Sequence, residues 1–309
     1  MNHLIREIGR ATVRLADAGV PAPRSDAEQL AAFVHGVGRG SLHTVADTEF
    51  DARFWEAVAR RVAREPLQHI TGRAPFRHLE LAVGPGVFVP RPETEAVAGW
   101  AITLLRARTV DISLVVDLGT GSGAIALAIA TEVPGTRVHA VERDPDACAW
   151  ARRNLAAAGS RDGCCDVWSI AGDGVVSTAS RASRVSTVQL SEADLADALR
   201  DHDGTVDVVV CNPPYIPLGE VLDVETGNHD PAAALWAGHD GLEVIRAVER
   251  TAARLLKPGG FVVVEHHDEQ GHAVPELFHL SGGWVEIAGH RDLADRDRFV
   301  TARREGVRP

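Results

Sequence analysis

Apolar residues recur every three or four positions at the start of the chain, which predicts a helical domain over residues 1–74. A first helix ends at Gly19-Val20-Pro21, and Ser25-Asp26-Ala27-Glu28 predicts a capping box that opens a second. A third helix stops at Pro66 and is marked by residues four apart: Phe50, Phe54, Val58 and Val62. Such a bundle is typical of a packing domain, and its active contribution would be to bind a macromolecular substrate.

The pattern changes between residues 75 and 90 to short runs of alternating apolar residues. One run covers residues 79–83 and another covers 87–89, with Gly84-Pro85-Gly86 between them. Two short alternating runs around a glycine-rich turn predict a β-hairpin. We place this hairpin as a connector to a second domain over residues 91–309.

The second domain alternates apolar strands with helical segments, which predicts an α/β fold around a parallel sheet. The predicted strands lie at residues 114–118, 137–141, 188–190, 208–211, 261–265, 284–288 and 298–302. The last two would finish the sheet as an antiparallel hairpin. Residues 159–186 are rich in Ser, Arg, Gly and Ala without periodicity, and they predict an inserted flexible loop.

The apolar run Val208–Cys211 is typical of a fully buried strand, and it delivers Asn212-Pro213-Pro214-Tyr215 to the carboxyl edge of the sheet. The Asn212 amide oxygen can accept a hydrogen bond, and the prolines hold their carbonyls because their φ is fixed. These acceptors can together take both hydrogens of an –NH2 group, while the Tyr215 ring packs against a planar group. Asn-Pro alone is a common turn, but this position favours a site.

A glycine-rich turn, Gly119-Thr120-Gly121-Ser122-Gly123, connects the strand at 114–118 to a helix rich in Ala, Ile and Leu. Glycines let a ligand approach the backbone, and the start of a helix offers free N–H groups. The spacing G-x-G-x-G differs from the G-x-G-x-x-G of dinucleotide folds. It therefore favours S-adenosylmethionine over NAD as the cofactor.

Acidic residues follow two further strands. Glu142 ends the strand at 137–141, where it is placed to accept both ribose hydroxyls of an adenosine. Asp194, followed by Leu195, could meet the adenine amino group, and Asp173 competes for this role. Asp194 leaves the shorter connection to the strand that follows, which favours it.

The segment Phe88 to Glu95 contains a rigid Pro-x-Pro unit that carries Arg91 and Glu93. Acidic residues here are also what a helix start requires, because they interact favourably with the helix dipole. The alternative is that the segment forms a wall of the site. We interpret Arg91 and Glu93 as substrate-binding residues.

Composition narrows the classes of function. The 309 residues carry a formal net charge of -11, which argues against direct, sequence-independent binding to nucleic acid. The start of the chain lacks an apolar signal core and no stretch is long enough to span a membrane, so we expect a cytoplasmic protein. The cysteines at 148, 164, 165 and 211 lack metal-ligand spacing, so we expect free thiols and no metal.

These motifs together resemble the HemK/PrmC protein-glutamine methyltransferases, which modify peptide chain release factors. The segments that carry the resemblance are 66–72, 88–95, 117–123, 212–217 and 291–298. The resemblance implies a small helical domain, a hairpin connector and a Rossmann-like class I S-adenosylmethionine-dependent methyltransferase domain. It also implies that the substrate is the glutamine of a Gly-Gly-Gln motif in the release factor.

The same resemblance assigns roles to residues. It implies that Gly119 to Gly123 bind the methionine part of S-adenosylmethionine, that Glu142 binds its ribose, and that the adenine falls near Asp194 and Leu195. The substrate amide would lie between Asn212 and Pro213.

Three other functions compete with this hypothesis. An adenine-N6 DNA or RNA methyltransferase would use the same tetrapeptide on a flipped base, but the acidic balance disfavours it. A binding module without catalysis would not need both the glycine turn and the tetrapeptide. An NAD oxidoreductase would need a different glycine spacing.

Overall fold

The computed structural model describes residues 3–45, 52–107, 113–161, 167–171 and 185–306. The helices are α1 (His3–Asp17), α2 (Pro23–His35), α3 (Ala52–Val62), α4 (Leu67–Thr71), α5 (Thr94–Ala107), α6 (Ala124–Glu132), α7 (Pro145–Ala158), α8 (Val224–His229), α9 (Glu243–Leu255) and α10 (Ala273–Ser281). The strands are β1 (Arg73–Phe76), β2 (Leu79–Ala82), β3 (Leu114–Leu118), β4 (Arg137–Glu142), β5 (Ser160–Arg161), β6 (Val167–Ala171), β7 (Val185–Glu192), β8 (Val206–Cys211), β9 (Leu256–Glu265), β10 (Trp284–Arg291) and β11 (Asp297–Arg304).

The chain forms two compact units. The first contains Met1–Arg73, Val83–Pro85 and Val221–Asp230, and the second contains the remaining residues. The first unit is therefore discontinuous in sequence, because the segment with α8 joins helices α1 to α4. The domain limits at residues 74 and 90 stay a prediction.

The first unit packs its helices around fully buried apolar side chains such as Leu15, Leu30 and Phe54. The predicted capping box is wrong, because α2 begins at Pro23 and Ser25 lies inside the helix, where its hydroxyl accepts from Gln29. The third helix agrees with the prediction from Phe54 onward. Phe50 lies outside the described residues.

The predicted hairpin lies earlier in the chain than the sequence indicated. Strands β1 and β2 form it, and Arg77 and His78 connect them. The two strands are antiparallel, because a two-residue connection cannot join parallel strands. Arg77 adopts a φ of 53° and its backbone N–H donates to the Glu95 carboxylate. The predicted strand at residues 87–89 is instead irregular, although Val87 and Val89 are buried.

The second unit is built on a nine-stranded sheet within the described ranges, in the order β10-β11-β9-β8-β3-β4-β7-β6-β5. The central strands β9, β8, β3, β4 and β7 are parallel, and β11 is antiparallel to both of its neighbours, as predicted. Strands β5 and β6 fall in the predicted inserted loop and extend the sheet edge by antiparallel pairing. The sequence did not indicate them because these strands are short and lie in a stretch without apolar periodicity, although Trp168 of β6 is buried.

Register brings the candidate site residues together. Leu118 pairs with Val141 on one side and with Cys211 on the other, so the residues that follow these three strands meet at one sheet edge. Every residue of β8 is buried, Asp207 included, and the predicted apolar run over residues 208–211 lies within this strand. Among the helices in the described ranges, none is both long and apolar enough to cross a membrane.

Within the first unit, a buried ion cluster connects α8 to helices α2 and α3. Arg61 is 3% exposed, and its guanidinium binds Asp26 of α2 at 2.8 Å and Glu225 of α8 at 2.9 Å. Arg64 binds the same Glu225 oxygen at 2.9 Å. Removing one partner from such a buried cluster leaves uncompensated charge.

We therefore expect Arg61→Ala to destabilise the first unit by about 3–5 kcal/mol. The matched control is Arg60→Ala in the same helix, whose guanidinium binds Glu65 with 48% of its side chain exposed. Exposed pairs contribute about 0–1 kcal/mol. Hydrogen exchange of the amides of α2 and α3 measures both changes, and equal protection in the two variants would contradict the prediction.

Candidate active site

The glycine turn after β3 leaves open space above its backbone. Gly119, Gly121 and Gly123 have φ values of 68°, 56° and 85°, which side chains other than glycine rarely adopt. A Cβ atom added at Gly119 or Gly121 would meet no other atom within 4 Å. The turn therefore fits a ligand that approaches the backbone closely at these positions.

Asp117, the fourth residue of β3, holds the turn from within the core. Its Oδ2 accepts from the Thr120 hydroxyl at 2.6 Å and from the Ala126 N–H at 3.1 Å. Burial raises the pKa of Asp117 to about 7, against the effect of these two donors. Its Oδ1 has no hydrogen-bond partner among the described residues. The sequence-based prediction did not include this residue, although an acid inside an apolar strand directly before a glycine turn was the available signal.

Glu142 ends β4 and is fixed by the backbone around it. Its Oε2 accepts from the Gly121 N–H at 2.9 Å, while Oε1 accepts from the N–H groups of Arg143 and Asp144 at 2.9 and 3.0 Å. A carboxylate offers about four acceptor sites, so capacity remains for a ligand. The structure thus brings Glu142 to the glycine turn, and its contact with a ribose stays a prediction.

Asp194 and Leu195 lie just beyond β7, beside the end of β4. Glu192 pairs with Glu142 in the sheet, and the Ala193 N–H donates to the Glu142 carbonyl at 2.8 Å. The Asp194 side chain is 54% exposed and accepts from the Ala196 N–H at 2.9 Å. Sheet pairing therefore places Asp194 near Glu142. The competing Asp173 lies outside the described residues.

Asn212 follows β8 directly, and its side chain is held at one end. The Nδ2 group donates to the Thr94 hydroxyl at 3.0 Å, and no described residue donates to Oδ1. Pro213 is buried and Pro214 is half-buried. Asn212 and Pro213 thus follow β8 directly, with Thr94 as an unpredicted partner of Asn212, and their contact with a substrate –NH2 group stays a prediction.

Tyr215 is anchored at its hydroxyl and at its carbonyl. The hydroxyl donates to Glu265 Oε1 at 3.3 Å, and the carbonyl accepts from Gln270 Nε2 at 3.0 Å. Burial, together with the negative charge of Glu265, raises the pKa of the Tyr215 hydroxyl, which stays protonated. Tyr215 is thus positioned by Glu265 at the end of the neighbouring strand β9, a partner that the sequence pattern did not indicate.

The Pro-x-Pro segment contributes to this edge through a residue that we did not single out. Thr94 contacts Asn212, whereas Glu93 is exposed and the Arg91 guanidinium lies 5.0 Å from the centre of the Phe88 ring. The segment is both a helix start, since α5 begins at Thr94, and a neighbour of the tetrapeptide. The substrate-binding roles of Arg91 and Glu93 stay predictions.

The side chains that commonly bind metals do not cluster in the described ranges. No group of three or more His, Cys, Asp or Glu side chains there could hold a metal ion. Cys148 and Cys211 are buried free thiols, and the other two cysteines lie outside these ranges.

Comparison with known proteins agrees with this architecture. A family model described as PrmC N-terminal domain matches residues 8–72, and one described as methyltransferase small domain matches residues 85–175. These matches fall in the helical region and in the region of the glycine turn.

Full-length relatives extend the similarity over the whole chain. The release factor glutamine methyltransferase of Streptomyces coelicolor is 57% identical over 98% of this chain and 99% of its own length. That of Mycolicibacterium smegmatis is 44% identical over 98% and 99%. The 4-amino-L-phenylalanine/4-methylamino-L-phenylalanine methyltransferase of Streptomyces pristinaespiralis is 40% identical over 94% and 92%.

The sheet order, the glycine turn and these similarities confirm the predicted fold class and cofactor. The chain belongs to the release factor glutamine methyltransferase family, and its second unit is a Rossmann-like class I domain that uses S-adenosylmethionine.

Proposed function

We propose that this protein transfers the methyl group of S-adenosylmethionine to the side-chain amide nitrogen of the glutamine in the Gly-Gly-Gln motif of peptide chain release factors. The observation that carries the proposal is the 57% identity to the Streptomyces coelicolor enzyme over 98% of the chain. The acceptor groups at Asn212 and Pro213 support it, because they suit an –NH2 group.

The cofactor would be held at the carboxyl edge of β3, β4 and β7. The residues that we assign to it are Gly119, Thr120, Gly121, Ser122, Gly123, Glu142, Asp194, Leu195 and Asn212. Two features fit this ligand: the open space above Gly119 and Gly121, and a Glu142 carboxylate that retains acceptor capacity. When bound, S-adenosylmethionine supplies a methyl group that its sulfonium makes electrophilic.

The chain's own residues would make the amide nitrogen reactive by positioning it. An amide nitrogen is a poor nucleophile because its lone pair is delocalised. Asn212 Oδ1 and the Pro213 carbonyl would accept its two hydrogens and so orient the lone pair, which is catalysis by positioning and electrostatics. We assign Asn212, Pro213 and Tyr215 to catalysis, with Tyr215 packing against the planar amide.

Substrate binding would involve further residues near the tetrapeptide. We assign Pro214, Arg91 and Glu93 to contacts with the release factor, and we propose that the N-terminal helices also bind this protein. The substrate is thus a protein, and we expect no direct binding to nucleic acid or membrane. The reaction would take place in the cytoplasm.

One relative makes a second function worth testing. The Streptomyces pristinaespiralis protein is, by its name, a methyltransferase for 4-amino-L-phenylalanine and 4-methylamino-L-phenylalanine, and it is 40% identical to this chain. An arylamine also presents an –NH2 group on a planar system. We favour the release factor because the identity to the release factor enzyme is higher, and we do not favour the adenine alternative.

A transfer assay with labelled S-adenosylmethionine tests the proposal. Release factor, its Gln→Ala variant in the Gly-Gly-Gln motif, 4-amino-L-phenylalanine and duplex DNA are offered in parallel. We expect label on the wild-type release factor alone. Label on the small amine or on DNA, with none on the release factor, would contradict the proposed substrate.

Replacement of Asn212 tests the catalytic assignment. We expect Asn212→Ala to lower kcat by roughly 10²- to 10³-fold, as loss of one positioned polar group does in other active sites. The dissociation constant of S-adenosylmethionine, measured by calorimetry, should change much less. Turnover near the wild-type value would contradict the assignment.

Replacement of Gly121 tests the cofactor site. Gly121→Ala places a methyl group in the space above the turn, and we expect the affinity for S-adenosylmethionine to fall roughly tenfold or more, a change of about 1.4 kcal/mol. Gly204→Ala is the matched control, since Gly204 also has positive φ (69°) and an added Cβ there would meet no atom within 4 Å. Both variants carry similar backbone strain, so equal calorimetric affinities would argue against cofactor binding at the turn.

A further inference from the structure

The Asn212 amide has an acceptor end and a donor end of nearly the same shape. Only the oxygen can accept a hydrogen from a substrate –NH2 group, while the –NH2 end of Asn212 would repel it. Rotation of the amide by half a turn exchanges the two ends. The proposed reaction therefore requires neighbours that fix the direction of this amide.

Thr94 is the neighbour in contact with it. The Thr94 side chain is on the first turn of α5 and is buried, with 4% of the residue exposed. Its hydroxyl accepts from Asn212 Nδ2 at 3.0 Å. The –NH2 end of Asn212 is therefore the end that meets Thr94, and the amide oxygen faces away from this contact.

We propose that Thr94 is a positioning residue that orients the Asn212 amide oxygen toward the substrate nitrogen. This inference rests on the proposed function, because it concerns the acceptor that the glutamine amide would meet. Thr94 does not touch the reacting atoms and acts through Asn212.

Matched variants on α5 test the contact between Thr94 and Asn212. Thr94→Val removes the hydroxyl and keeps the shape, and we expect kcat for the release factor to fall roughly tenfold to a hundredfold. Thr94→Ser retains the hydroxyl and should restore most of the rate. Thr103→Val is the control, because Thr103 is exposed on the same helix and its hydroxyl donates to the Gly99 carbonyl at 2.8 Å. S-adenosylmethionine affinity should be unchanged in all three, and Thr94→Val should unfold at a somewhat lower temperature because it leaves Asn212 Nδ2 without its partner.

A double-mutant cycle separates positioning from a general packing effect. If Thr94 acts through Asn212, Thr94→Val should cause no further loss of kcat in an Asn212→Ala background. A Thr94→Val enzyme as active as Thr94→Ser, or one whose full loss persists in that background, would overturn the inference.

A wild-type enzyme that leaves the release factor unlabelled would overturn the proposed function and the inference with it, whereas an active wild type with insensitive variants overturns the inference alone.

Discussion

The pairing of β3 with β4 and β8 is the constraint on which the rest of the second unit depends. Parallel strands in register end at the same edge, so Gly119, Glu142 and Asn212 meet although they are far apart in sequence. Side chains then refine an arrangement that backbone hydrogen bonds have already fixed. A shift of one residue in either pairing would exchange the side chains that the two buried faces of a strand present, and would move the residues that follow it along the edge.

Two buried carboxyl groups organise the loops at that edge. Asp117 binds the Thr120 hydroxyl and the start of α6, while Glu265 binds the Tyr215 hydroxyl. Burial opposes ionisation of both, and nearby donors partly compensate. An ionised carboxylate can only accept hydrogen bonds, so each acid fixes the direction of the hydrogen bonds that it receives. These hydrogen bonds favour one conformation of the polar loops.

The sequence predicted what depends on local pattern. Uninterrupted apolar runs identified the central strands, and the spacing of Gly119, Gly121 and Gly123 identified the turn. The sequence did not predict contacts between residues that are far apart in the chain. Thr94 and Asn212 are separated by 118 positions, and no local pattern indicates their contact. The hairpin was predicted too late in the chain because Val87 and Val89 are buried and alternate with less buried residues, as in a strand, but do not pair with another strand of the described residues.

The discontinuity of the first unit has a consequence for how the chain folds as it is made. Synthesis proceeds from the N-terminus, and domains generally fold as units during it. The helices before residue 73 are finished long before Glu225 leaves the ribosome, so Arg61 at first has Asp26 as its carboxylate partner without Glu225. The helical unit therefore reaches its final set of contacts only after β8 and the tetrapeptide have been synthesised.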